Sequence, residues 1–224
     1  MPRTKLSERQ MPVYTRGEEI FNMVSHIVGG GIGVIALVLC VVVAAIHGNV
    51  WGVVSGTIFG AMMILLYTAS SIYHALRPES MAKRVFQVLD HCTIFVLIAG
   101  TYTPFTLVSL RAHEPWIGWT VFGVIWGMAA LGAALNGIDL KKYKIFSMIC
   151  YLAMGWCIVF AWKPLAAALP SGAIALLLGG GIAYTVGAIL YGIGGKRLYF
   201  HSVFHLFVVI GSIAHTLCFL LFVM

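Results

Sequence analysis

Long apolar runs divide the chain into seven segments that are separated by short polar stretches. Each run is close to the length of about 20 residues that a helix needs to cross the hydrocarbon of a bilayer. A regular alternation of apolar and polar residues, which would indicate the strands of a membrane barrel, does not recur along the chain. The pattern therefore predicts an all-α, polytopic membrane protein with a seven-transmembrane-helix bundle. The predicted spans are 21–46, 51–76, 85–110, 116–135, 145–162, 173–191 and 199–224.

The first twenty residues differ from the rest because they are polar and basic, and we expect this segment, 1–20, to be mobile or to lie on the membrane surface. Residues 21–224 form one transmembrane domain, whose short connections make sequential helices antiparallel neighbours. Pro104 lacks a backbone N–H and should kink or break the third helix. Glycines four residues apart favour close helix packing. These pairs are Gly29 and Gly33, Gly56 and Gly60, and Gly123 and Gly127.

Composition excludes a soluble domain, because 61% of the residues are hydrophobic, only 9% are charged and the mean hydropathy is +0.98. An ordinary globular domain carries about a quarter charged residues. The net charge of +7 comes from basic residues in the loops, which favours anionic lipid headgroups and excludes a nucleic-acid role. The five cysteines fall inside the predicted spans without a Cys-x-x-Cys pair, so we expect buried free thiols.

The basic residues also predict the orientation of the chain in the membrane. Twelve of the 14 lie in the N-terminal segment and in the loops after spans two, four and six, whereas only Arg111 and Lys163 lie on the other side. Loops rich in lysine and arginine stay in the cytoplasm, so the N-terminus is predicted to be cytoplasmic and the C-terminus outside. The twelve are Arg3, Lys5, Arg9, Arg16, Arg77, Lys83, Arg84, Lys141, Lys142, Lys144, Lys196 and Arg197.

Ionisable groups within membrane spans are candidates for function because burying them in lipid is costly. His74 lies near the end of span two, Asp90 near the start of span three, and His201 and His205 at the start of span seven. With Ser70, one turn before His74, these groups lie at similar depths. At a rise of about 1.5 Å per residue, they are about 5 to 12 Å from the nearest basic boundary residue.

Three histidines at one depth are the ligand set of a zinc ion with an open fourth position. The sequence therefore predicts Zn²⁺ bound by His74, His201 and His205, with a water molecule that zinc makes acidic. Asp90 would accept a hydrogen bond from that water and act as a general base, and Ser70 would orient the water or stabilise an oxyanion. The alternative is that these groups form hydrogen bonds between helices without a metal.

Three further polar residues, Glu19, Asn22 and His26, share one helix face at the start of span one because they are three and four residues apart. They either brace the metal ligands from outside or cap the helix and hydrogen-bond to a neighbouring helix. His91 follows Asp90 on a different face and is not predicted to be a ligand. His215, in the middle of span seven, is expected to be a packed, hydrogen-bonded histidine.

At these residues the sequence resembles the hemolysin III family of bacterial membrane proteins, which belongs to the superfamily of progestin and adiponectin receptors and is more distantly related to alkaline ceramidases. The resemblance implies zinc held by the three histidines and a water, with Asp90 and Ser70 beside that water, and a multi-pass protein of the bacterial inner membrane. The motifs that carry it are Glu19-x2-Asn22-x3-His26, Ser70-x3-His74 followed by Asp90, and His201-x3-His205, with the stretches 99–105 and 151–156.

Two classes of function remain open at this point. The first is a zinc-dependent hydrolase of a lipid amide or ester in membrane lipid homeostasis, with membrane lipids as partners and a lipid as substrate. The second is a non-catalytic sensor, a receptor-like protein or a cytolysin with structural zinc. A proton or ion carrier is disfavoured, because Asp90 is the only acidic residue well inside a predicted span.

The predicted orientation can be tested with a reporter that is active only in the cytoplasm. Fused after Met224, the reporter should be silent, because seven crossings carry the C-terminus outside. The same reporter fused after Glu79, in the loop that follows span two, should be active. Activity at Met224 would mean an even number of crossings or the reverse orientation.

Overall fold

A computed structural model describes residues 4–9, 11–194 and 197–224, so Arg3 and Lys196 lie outside the described residues. Within the described part of the chain, seven helices are long and apolar enough to cross a membrane, which confirms the all-α fold class and makes the chain a multi-pass membrane protein. They are α1 (Arg16–Ile46), α2 (Val50–Ala75), α3 (Met81–His113), α4 (Pro115–Asp139), α5 (Lys144–Ala168), α6 (Ser171–Ile193) and α7 (Phe200–Phe222).

Helix α1 begins five residues before the predicted span, because a capping box starts it at Arg16. Thr15 Oγ1 accepts a hydrogen bond from the backbone N–H of Glu18, and the Glu18 carboxylate accepts one from the N–H of Thr15. The helix therefore includes Glu18 and Glu19 in its first turn.

Helix α3 is the most buried, with 78% of its most apolar stretch inside the bundle. It is not broken at Pro104. The α-helical pattern ends there, a π-helical stretch follows from Phe105 to Leu110, and the helix continues to His113. The hydroxyls of Thr103 and Thr106 donate to backbone carbonyls around the proline. These bonds satisfy backbone groups that a proline disturbs in an apolar setting.

The most extensive contacts join α1 to α2, α2 to α3 and α6 to α7, while α7 also packs on α1. Helix α5 packs less closely on its neighbours, and it changes to a 3₁₀-helix between Cys157 and Ala161. An internal cavity of about 150 Å³ lies mainly between α3, α5, α6 and α7. This packing brings the start of α7 beside the start of α1 and the end of α2.

The described N-terminal residues, 4–9 and 11–15, form a segment that we call the N-terminal strap, and this segment is bonded to the bundle. The backbone N–H of Thr4 donates to the Asp139 carboxylate at the end of α4. Arg84, near the start of α3, donates to the carbonyls of Leu6, Ser7 and Arg9. The strap therefore crosses one end of the bundle. At the other end, His47 contacts the carbonyl of Met224 at 3.3 Å.

Two of the three predicted glycine pairs lie in tight helix contacts, whereas one pair does not. A Cβ atom at Gly29 or Gly33 of α1 would meet side chains of α2, and one at Gly56 or Gly60 of α2 would meet α1. A Cβ atom at Gly123 or Gly127 of α4 would meet nothing within 4 Å. The small-residue pattern was therefore right for α1 and α2 and wrong for α4, where the glycines face outward.

Replacing Gly60 by alanine should destabilise the bundle, since the new Cβ would meet both the side chain and the backbone of Leu37. Overpacking of this kind costs about 1–3 kcal/mol. Gly123→Ala is the matched control and should change stability by less than about 0.5 kcal/mol, as exposed substitutions usually do. Thermal unfolding in detergent measures both variants. Equal melting temperatures of the two variants would contradict the prediction, since α1 and α2 would then admit the methyl group without loss of stability.

Candidate metal centre

The three histidines predicted as zinc ligands lie together at the strap end of the bundle. His74 is in the last turn of α2, and His201 and His205 share one face at the start of α7. The Nε2 atom of His201 is 3.0 Å from that of His205 and 3.4 Å from that of His74. One ligand atom from each residue lies within 4.8 Å of the other two. This is a group that could hold a metal ion.

Glu19 fixes the orientation of His74. Its Oε2 atom is 2.6 Å from His74 Nδ1, and a carboxylate can only accept, so Nδ1 carries the proton. The lone pair of His74 is then on Nε2, the atom that faces the other two histidines. An imidazole that donates its far N–H to a carboxylate is the usual arrangement around a metal-binding histidine.

Lys83 completes this contact, and the sequence reasoning missed it. Its Nζ atom donates to Glu19 Oε1 at 2.7 Å and to the carbonyl of Leu76 at 3.1 Å, and the residue is only 1% exposed. The predicted third span began at residue 85, which left Lys83 in a loop. Ser80, whose hydroxyl accepts from the N–H of Lys83, caps α3 and is the sequence signal that extends the helix to include it.

His205 packs against His26, the last residue of the Glu19-x2-Asn22-x3-His26 motif in α1. The ring of His26 stacks on that of His205, with centroids 3.7 Å apart and an interplanar angle of 15°. Asn22, one turn earlier on the same face, is fully buried. The helix cap, which was one alternative reading of this motif, is formed by Glu18. Glu19 and His26 instead contact two of the three clustered histidines.

Tyr14, in the strap, is a second residue that the sequence reasoning missed. Its ring stacks on His201 with centroids 5.0 Å apart and an angle of 26°, and it lies 5.7 Å from the ring of His74. Burial, and then the neighbouring Tyr191 and Asp90, raise the pKa of the Tyr14 phenol well above its ordinary value. The hydroxyl therefore stays neutral. A lone tyrosine before the first span gave no sequence signal for this position.

Asp90 and Ser70 lie in the same region but outside the three-histidine group. Asp90 is buried and lines the internal cavity together with His201. Its carboxylate is 3.6 Å from Nδ1 of His91, a residue that also contacts the Gln87 carbonyl and the Tyr191 hydroxyl. His91 is thus absent from the group, as expected. Ser70 is fully buried on α2.

The residues around the histidines fit a bound metal and its water. Among the described residues, the hydroxyl groups of Ser70, Tyr73 and Ser202 are buried without a protein hydrogen-bond partner. Buried polar groups are normally paired, and these three lie within four residues of His74 or His201 in the sequence, which suits a polar ligand near the histidines. Three imidazoles with no fourth His, Cys, Asp or Glu in the described group are the donor set of zinc with an open position.

The internal cavity connects this site with the middle of the bundle. Its wall includes Asp90 and His201 at the strap end of the bundle, and Phe105 and His215 nearer the middle of the bundle. Asp90 and Phe105 are about 22 Å apart along α3 at the usual helical rise. Most of the lining is apolar. His215 itself is buried and contacts the carbonyl of Leu177 at 3.1 Å, which confirms the expectation of a packed, hydrogen-bonded histidine.

Comparisons with known proteins agree with this architecture. A model of the haemolysin-III-related family matches residues 14–216. The "Hemolysin-3 homolog" of Bacillus subtilis (strain 168) is 39% identical over 210 residues, which is 94% of this chain and 96% of that protein. "Hemolysin-3" of Bacillus cereus is 39% identical over 207 residues, 92% of each chain.

A more distant relative is the human "Monocyte to macrophage differentiation factor", which is 25% identical over 173 residues, 74% of this chain and 68% of that protein. This similarity agrees with the relation to the progestin and adiponectin receptor superfamily that the motifs indicated. The family match covers all seven helices at least in part, and the two bacterial relatives align along nearly their whole length. The chain is therefore a multi-pass bacterial membrane protein that belongs to the haemolysin-III-related family.

Proposed function

We propose that this protein is a zinc-dependent hydrolase that acts on an amide or ester bond of a membrane lipid. The observation that carries the proposal is the position of the three-histidine group beside a mostly apolar cavity. A metal site for water-soluble substrates would need an open aqueous cleft. A site that joins an apolar cavity inside a membrane bundle is suited to a substrate with a long hydrocarbon chain.

The choice of zinc rests on the donor atoms. Three neutral imidazole nitrogens suit zinc, whereas magnesium and calcium prefer oxygen ligands. His74 is already in the required tautomer, because its Nδ1–H donates a hydrogen bond to Glu19. Structural zinc sites have four protein ligands, and the described group has three, which favours a site that keeps a position for water or substrate.

When bound, zinc would polarise the substrate carbonyl and lower the pKa of a coordinated water. The protein would then have to move a proton and orient the reacting groups. Asp90 is suited to accept the proton from the attacking water and to deliver it to the leaving group, because it lines the same cavity as His201. Ser70, one turn from His74, is suited to orient the water or to donate to an oxyanion.

The membrane position of the site supports a lipid as the substrate. The histidines lie at the strap end of the helices, which the positive-inside rule predicts to be cytoplasmic. A lipid carbonyl lies near the boundary between headgroups and hydrocarbon, at the depth of these helix ends. The apolar cavity would take the hydrocarbon chain, and the reaction would alter the lipid composition of the inner leaflet.

The second candidate is a non-catalytic protein in which zinc only stabilises the bundle. One relative is named Hemolysin-3 and another a Hemolysin-3 homolog, so cytolysis is one form of this alternative, and a sensor or receptor-like role is another. A zinc ion that only stabilises the fold would not require Asp90 in its charged form. The effect of removing the Asp90 charge on activity therefore distinguishes the two candidate functions.

Purified protein should contain about one zinc per chain, held by the three histidines. His205→Ala should lose the metal, because two remaining imidazoles do not hold zinc tightly. His113→Ala, an exposed change at the far end of α3, should keep it. Glu19→Gln should weaken zinc affinity about 10- to 100-fold, the usual effect of removing a carboxylate behind a ligand. Elemental analysis and zinc titration measure these values, and equal zinc in all variants would contradict the site.

Asp90→Asn should keep most of its zinc and lose hydrolytic activity on lipid amides or esters. The change keeps the size of the side chain and removes its charge and basicity, and a general base contributes roughly 10²–10⁴-fold to a rate. The assay is the release of fatty acid from defined lipids by zinc-loaded protein, with His113→Ala as the control. Loss of zinc in Asp90→Asn would make Asp90 part of metal binding. Unchanged activity would remove the mechanism.

A further inference from the structure

We propose that the N-terminal strap completes the metal centre, and that Tyr14 is a positioning residue that holds His201 and covers the site on the water-facing side. This inference rests on the proposed zinc site, because it concerns how one of its ligands is held. The observation behind it is the stacking of Tyr14 on His201, in a segment that is tied to the bundle at both of its ends.

The three histidines are not held in the same way. His74 has a short hydrogen bond to Glu19, and His205 is stacked at 3.7 Å on His26, so both are oriented by side chains of α1. Within the described residues, the hydrogen-bond contacts of His201 are only those with the other two histidines. Its nearest stacked neighbour is Tyr14, since Tyr191 lies 5.7 Å away at an angle of 54°.

The path of the strap is fixed by polar contacts that place Tyr14. At its beginning, Thr4 is bonded to Asp139 of α4. Arg84 of α3 donates hydrogen bonds to three backbone carbonyls of the strap, those of Leu6, Ser7 and Arg9. At its end, Thr15 is bonded to Glu18 in the capping box of α1. Tyr14 is the residue directly before this cap, so the start of α1 sets its position.

Glu18 also links the strap to the helix that carries His201. Besides accepting from Thr15, its carboxylate accepts a hydrogen bond from the backbone N–H of Tyr199 at 2.8 Å. Tyr199 directly precedes α7 and has a left-handed backbone conformation, with φ at 61°, which non-glycine residues seldom adopt. The contact holds the entry to α7 in one arrangement. His201 follows two residues later, so Glu18 relates its backbone to that of Tyr14.

Two routes to the metal follow from this arrangement. The cavity reaches His201 from within the bundle, and this is the route for a hydrocarbon chain. The strap, with Tyr14 against His201 and His74, lies across the other side, where water-soluble molecules approach. A chelator in the aqueous phase must therefore displace Tyr14 before it reaches the metal. The strap slows the loss of zinc and limits access from water while the lipid route stays open.

The test measures the rate at which a water-soluble chelator removes zinc from the full-length protein in nanodiscs. Tyr14→Ala should release zinc about threefold to tenfold faster than the parent protein, on the scale expected from losing one aromatic pair. Tyr14→Phe keeps the ring and should release zinc at the parental rate. Val13→Ala, at a neighbouring residue that is 95% exposed, is the matched control and should also match the parent.

Arg84→Gln loosens the strap without changing the residues that touch the histidines. Arg84→Gln should also speed zinc release, and it tests the inference if Tyr14→Ala does not fold. Parental release rates in both Tyr14→Ala and Arg84→Gln would overturn the inference while leaving the zinc site intact. Fast release in Tyr14→Phe as well as in Tyr14→Ala would also overturn it, since the hydroxyl and not the ring would then matter.

A metal-free measurement separates failure of this inference from failure of the proposed zinc site. In a variant without the five native cysteines, His201→Cys would be labelled by a water-soluble thiol reagent, with and without Tyr14→Ala. We expect labelling to become faster when Tyr14 is removed, whether or not the parent binds zinc. An unchanged labelling rate would show that Tyr14 does not cover this position.

Discussion

The carboxylate of Glu19 is bonded to His74 on one side and to Lys83 on the other, and the geometry of the histidine group depends on this contact. It joins α1 to the end of α2 and to the start of α3. A buried carboxylate or ammonium group alone would be costly at the edge of the hydrocarbon, whereas the pair is mutually neutralised and hydrogen-bonded. With Lys83 beside it, Glu19 is held in place to accept a hydrogen bond from His74 Nδ1–H.

The functional groups lie at helix ends, and this has a physical reason. His74 is in the last turn of α2, and His201 is the second residue of α7. Polar side chains are less costly near the boundary of the hydrocarbon than in its centre. A site at this depth can receive water from one side and a lipid chain from the other. The strap contacts the histidines through Tyr14 and the cavity reaches them at His201, and the proposed water and lipid routes follow these two sides.

Close packing of α1 on α2 is what brings Glu19 and His26 to the histidines. The glycines of these two helices allow their backbones to approach, and Gly60 lies directly against Leu37. The same spacing in α4, at Gly123 and Gly127, faces open space. Spacing alone therefore shows that a helix has a smooth face, but a neighbour must be present before that face contributes to stability.

The sequence by itself determined the seven helices, the family motifs and the identity of the three clustered histidines. Apolar length and the cost of unpaired backbone groups in lipid leave few alternatives for such a chain, and the four-residue spacing places His201 and His205 on one face. Only the tertiary structure decided the parts that depend on which elements touch. Lys83, expected in a loop, is buried against Glu19, and Tyr14, expected in a segment that is mobile or lies on the membrane surface, stacks on His201. These contacts join residues far apart in the chain, and no local pattern of spacing or hydropathy encodes them.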